Sequence, residues 1–141
     1  MMKKIKIGNA VLCEHVLQSQ HNKHVLVNTY SGDIVVEKFP TQLTLGIYIE
    51  IELPGITTSK VKLETIYAKN KIVQASGELK FPKPESRGVL VIPVFTFDVE
   101  KDEYLEIYVS VEGFSRTQTI KKHVLQGEIP IFSTTHVQTT L

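Results

Sequence analysis

Cysteine occurs once, at Cys13, so no disulfide can close within the chain, and a reducing compartment suits it best. No run of about 18 apolar residues occurs, so no segment is expected to span a membrane as a helix. Charge of one sign is not in excess either. Sixteen Lys and Arg face fifteen Asp and Glu, a formal net charge of +1. Such a chain has no global field to draw in nucleic acid or an anionic membrane. Also missing are the nucleophile elbow, the phosphate loop, the dinucleotide fingerprint and the metalloprotease helix. Those absences remove the enzyme classes that announce themselves in short motifs, and no cofactor is expected. Nothing reads as a long amphipathic helix.

What is present is alternation. In Leu43 to Leu53, LTLGIYIEIEL, the residues Leu43, Leu45, Ile47, Ile49, Ile51 and Leu53 take every second position. A strand sends successive side chains to opposite faces, so this stretch has one wholly apolar face and one mostly polar face. β-Branched isoleucines favour that pleated surface over a helix. The apolar face needs a second layer to cover it.

The remaining chain supplies that layer in short pieces. Ile5 to Leu17 reads as a first strand, with an apolar phase that changes parity near Gly8-Asn9, as a bulge or a doubly covered strand would produce. The positive, then apolar, N-terminus is broken by Lys6, Asn9, Glu14 and His15, and fits a strand better than a signal peptide. His24 to Asn28 begins a second strand, which an extended run resumes at Ile34 to Val36. Val61 to Ala68 and Ile72 to Leu79 form a hairpin about Lys69-Asn70-Lys71, with Asn70 as the left-handed residue. Val89 to Val99 contains Pro93, which points to an edge or a bulge. Tyr104 to Glu112 alternates cleanly. Phe114 to Leu125 alternates poorly and is charged, as a solvated edge would be.

Turn signals roughly every 8–14 residues predict an all-β domain. We expect an antiparallel β-sandwich of about eight strands, of the immunoglobulin or C2 kind, over residues 1–127, with a closed barrel as the alternative. Residues 128–141 form a C-terminal tail that is polar apart from the apolar patch at Ile129, Ile131 and Phe132.

Three stretches carry a resemblance: Ala10-Val11-Leu12-Cys13-Glu14-His15; Lys38-Phe39-Pro40 before the strand at Leu43; and Val89 to Phe97 leading into Tyr104-Leu-Glu-Ile-Tyr-Val-Ser-Val-Glu-Gly113. In this order they resemble a family of small bacterial all-β proteins catalogued as a domain of unknown function. The resemblance spans roughly Ile5 to Leu125. It implies the sandwich and no catalytic residue, and the tail lies outside it.

Candidate chemistry is sparse. His15, His21 and His24 are close in sequence and imidazoles bind zinc or copper, but their spacing matches no standard site, so no metal is expected. Cys13 with a nearby histidine could be a nucleophile and base, yet a lone cysteine between Val11, Leu12 and Val16 reads as a small buried hydrophobe. Glu50, Glu52, Glu106 and Glu112 occupy outer strand positions, where carboxylates are ordinarily solvated. The lysines near Tyr67 are interspersed with glutamates, which disfavours a nucleic-acid track. Tyr48, Tyr104 and Tyr108 also occupy outer positions, and tyrosine serves interfaces by joining apolar area to a polar tip.

The expected function is a non-catalytic, cytoplasmic binding or assembly module that makes protein–protein contacts. The candidate interface is Tyr48, Tyr104, Tyr108, Ile129, Ile131 and Phe132, and the partner is another protein or a second copy as a homodimer. No nucleic acid and no membrane are expected as partners. The alternative is a sandwich that binds a small ligand or a carbohydrate.

Overall fold

The structure is a computed structural model that describes residues 3–83, 87–128, 131–132 and 134–140. It is an all-β sandwich of two packed sheets, one of them curled towards a half-barrel. Among the described residues there are nine strands: β1 (Lys6–Gln18), β2 (His24–Thr29), β3 (Ile34–Val36), β4 (Thr41–Glu52), β5 (Thr58–Tyr67), β6 (Asn70–Lys80), β7 (Gly88–Val99), β8 (Glu103–Val111) and β9 (Thr117–Gln126). One sheet has the order β2-β1-β4-β7 and the other β3-β9-β8-β5-β6. No helix is long and apolar enough to cross a membrane.

The alternating stretch is β4, one of the two inner strands of the four-stranded sheet. Leu45, Ile47, Ile49 and Ile51 are fully buried. They face Leu63 of β5 and Leu105, Ile107 and Val109 of β8 in one continuous core. Each large aliphatic side chain taken out of water contributes about 1.5–3 kcal/mol, so this interface dominates the stability of the fold.

Several sequence features find their cause here. The register of β1 against β4 shifts between Ile7 and Ala10, so Gly8-Asn9 is the bulge that changes the parity of β1. Pro93 satisfies both of its expectations. It lies on β7, an edge strand, and in a bulge where Pro93 and Val94 oppose Gly46 alone.

Three expectations are corrected. Ile34–Val36 does not resume β2 but is a strand of its own, within the expected sandwich of about eight. It crosses to the other sheet and pairs parallel with β9, where Ile34 and Val36 bury themselves. The last long segment is not a plain edge: β9 lies between β3 and β8, since Ile120 and Val124 need core contacts. β3 covers just Val124 to Gln126, which leaves the earlier part of β9 edge-like, as its charges suggested. In the β5–β6 hairpin the left-handed residues are Ala68 (φ 51°) and Lys69 (φ 65°), and Asn70 already pairs with Tyr67. Two consecutive left-handed residues match the right-handed twist of the flanking strands.

Candidate interaction surface

β8 crosses the middle of the five-stranded sheet. Because Leu105, Ile107, Val109 and Val111 turn inward, Tyr104, Glu106, Tyr108 and Ser110 must stand on the outer face. Register then sets their neighbours. Ser110 lies opposite Lys62 of β5, Tyr108 opposite Glu64, and Glu106 opposite Ile66. On the other side Glu106 faces Lys121 and Tyr104 faces His123 of β9.

Both tyrosines on this face are flanked by cations. The Arg116 guanidinium carbon lies 3.7 Å from the centroid of the Tyr108 ring. The Lys121 ammonium lies 4.6 Å from that of Tyr104. Cations over aromatic faces are attracted by the ring quadrupole. His123 stacks on Tyr104 with centroids 4.8 Å apart and also meets the carboxylate of Asp102. The Tyr108 hydroxyl donates to Glu106 at 2.7 Å and accepts from the Gln118 amide at 3.2 Å. Its bond to the Glu106 carboxylate, more than its burial, holds the phenol pKa above the ordinary value.

Beneath these groups sits Glu64, whose side chain is 5% exposed. Its carboxylate meets Lys71 at 2.8 Å, Arg116 at 3.5 Å and Lys62 at 3.8 Å. A carboxylate so enclosed would ordinarily prefer its neutral form. Here the Lys71 hydrogen bond outweighs burial and, with the other cations, holds its pKa below the usual carboxylate range. Glu64 thereby anchors three cations from different segments of the chain around Tyr108.

The candidate tyrosines do not form one patch. Tyr48 stands on the outer face of the four-stranded sheet, on the opposite side of the sandwich from Tyr104 and Tyr108. It packs edge-on against His24 at 5.5 Å and donates to Glu50 at 3.3 Å. Tyr104 is 48% exposed. In the tail, Ile131 is 78% exposed and Phe132 88% exposed, so neither docks on the sandwich. Ile129 lies outside the described residues.

The other candidates hold structural positions. Cys13 is buried, with its thiol aimed at the carbonyl oxygens of His15 (3.4 Å) and Gly46 (3.6 Å). Burial pushes the thiol pKa up, away from a reactive thiolate. His15 lies on β1, His21 in the turn before β2, and His24 against Tyr48. Among the described residues no three His, Cys, Asp or Glu side chains converge as metal ligands. Two of the depressions among the described residues bear on the alternative readings. One, of about 580 Å³, opens on the outer face over Ser76, Lys62 and Ser110, rimmed by Lys60, Glu78 and Glu112. The other, of about 200 Å³, lies between the β6 and β7 edges and is lined mainly by aliphatic side chains.

The residues that sequence reasoning missed are Glu64, Arg116, Lys121 and His123. Alternation places Lys62 and Glu64 outward on β5, but nothing along the chain marks Arg116, which is 52 positions from Glu64, as its neighbour. No family model and no curated protein matches this chain.

Proposed function

We propose that this chain is a non-catalytic binding or assembly module, working in a reducing, cytoplasmic setting, that makes protein–protein contacts through the outer face of its five-stranded sheet. The observation that carries the reading is the exposed Tyr104, held between Lys121 and His123 and followed on the same face by Tyr108 under Arg116. Tyrosine and arginine are the residues that most often dominate binding energy at protein interfaces, and stiff, pre-paired side chains lose little entropy on docking. The test is capture from native lysate with mass-spectrometric identification, comparing the wild-type chain with a Tyr104→Ser/Tyr108→Ser variant. A partner held by the wild type and lost from the variant supports the reading. Equal capture by both removes the face from consideration.

The exposed pair Ile131 and Phe132 supports a second copy as an additional partner, since two large apolar side chains in water favour any surface that covers them. A small-ligand or carbohydrate reading is favoured by one observation, the open depression with the Ser76 and Ser110 hydroxyls beside Lys62. Saturable binding in a glycan screen, abolished by Ser76→Leu, would select it over the protein-contact reading.

A further inference from the structure

The outer face of the five-stranded sheet carries more cations than carboxylates. Lys60, Lys62, Lys71, Arg116 and Lys121 occupy or border the outer face of the five-stranded sheet, against the two carboxylates Glu64 and Glu106 at its centre. That is an excess of three positive charges, leaving eleven cations and thirteen anions elsewhere in the chain. At the rim, Glu78 pairs with Lys80 at 4.0 Å, and counting Glu112 and Asp102, whose carboxylate meets His123, leaves an excess of one. The two central carboxylates are already engaged: Glu64 by three cations, Glu106 by the Tyr108 hydroxyl. Lys60 and Lys121 form no ion pair among the described residues.

We infer that the partner of this face is an acidic, extended segment of another protein, whose carboxylates meet Arg116, Lys121 and the lysines around them while its chain runs alongside Tyr104 and Tyr108. This rests on the protein-contact reading above and adds the chemistry of the partner. Charge complementarity selects the sign of the partner. The geometry selects a peptide over a nucleic acid. Arg116 and Lys121 already cover the tyrosine rings on which bases would stack. Glu64 and Glu106 interrupt any continuous basic track that a phosphate backbone could follow. Glu64 is a positioning residue here. It fixes the lysines and Arg116 before the partner arrives, so that less side-chain freedom is lost on binding.

The experiment titrates the full chain into fluorescein-labelled poly-L-glutamate and follows anisotropy, with an equally long oligodeoxythymidylate as the competing probe. Variants are Arg116→Gln/Lys121→Gln and, as a charge-matched control on exposed loops elsewhere, Lys23→Gln/Lys38→Gln. Thermal midpoints confirm that all remain folded. The expected result is saturable binding to polyglutamate that weakens about tenfold in the Arg116/Lys121 variant and less than about twofold in the control, and that falls steeply between about 50 and 200 mM salt. Equal weakening in both variants would mean that net charge alone is read, and would overturn the inference. Tighter binding to the oligonucleotide would overturn the choice of a peptide. If polyglutamate does not bind, and the lysate partner is lost from the tyrosine variant but kept by the Arg116/Lys121 variant, the face binds protein and the acidic partner is wrong. Loss of that partner from neither variant defeats both readings.

Discussion

A Cβ placed on Gly46 would stand 2.7 Å from the carbonyl oxygen of Pro93, with Val16 N at 3.0 Å and His15 Cα at 3.1 Å. Three strands therefore converge over one hydrogen atom. The obstructing atoms are backbone, which cannot swing aside as a flexible side chain can. Gly46→Ala is expected to destabilise the fold by about 1–3 kcal/mol, as overpacking does. Urea denaturation measures it, and a midpoint equal to that of the wild type would show that β1 and β7 can move apart freely.

Adjacent positions on β4 should behave oppositely. Ile49 is fully buried, and Ile49→Ala should cost about 2–5 kcal/mol through lost transfer energy and the cavity left behind. Glu50 faces outward, where it accepts from the Asn9 amide at 3.2 Å and the Tyr48 hydroxyl at 3.3 Å and pairs with Arg87 at 3.7 Å. Glu50→Ala should cost roughly 1 kcal/mol, more than a fully solvated glutamate and far less than Ile49→Ala. Equal and small losses at both sites in chemical denaturation would refute the register of β4.

Glu64 predicts a pH dependence with a definite sign. Its pKa in the folded chain is depressed, first by the Lys71 hydrogen bond. A depressed carboxylate contributes stability that is present above its unfolded-state pKa, and that contribution is lost as pH falls through the folded value. Lys71 and Arg116 are each nearly half exposed, so solvent screens the contribution to about 1 kcal/mol. Glu64→Gln should therefore be less stable than the wild type at pH 7, and the gap should close in acid as the wild type loses the same charge. A gap that stays constant from pH 7 to pH 3 in thermal melts would show that the carboxylate's charge contributes nothing.

The tail separates assembly from folding. Since Ile131 and Phe132 stand in solvent, a chain ending at Gly127 should keep the thermal midpoint of the full chain. If these side chains join two copies, sedimentation will show a dimer that the truncated chain loses. A lower midpoint after truncation, with no change in mass, would place the patch on its own sandwich instead.

Much of the fold was legible because burial has a period. Leu43 to Leu53 and Tyr104 to Glu112 each need one apolar face covered, and alternation alone assigns Ile49 inward and Glu50 outward. The bulge at Gly8-Asn9 could be read from the parity change of β1, and the place of Pro93 from its missing amide proton. The crossing of Ile34–Val36 could not be read. Three residues carry too little pattern to choose a sheet, and the choice rests on core contacts with residues far away in sequence.

The surface divides in the same way. By itself the sequence determined that Tyr48, Tyr104 and Tyr108 point outward, because Tyr48 and Tyr108 sit between aliphatic neighbours on alternating strands and Tyr104 shares the parity of Tyr108. The tertiary structure decided that Tyr48 lies on one side of the sandwich and the other two on the opposite side, since that depends on which sheet each strand joins. It also decided that Arg116 covers Tyr108 while a carboxylate at position 64 holds it there. Alternation is a property of neighbours along the chain and survives in one dimension. Strand order is set by packing two sheets over a shared core, and from it comes every contact that joins β5, β8 and β9 into one face.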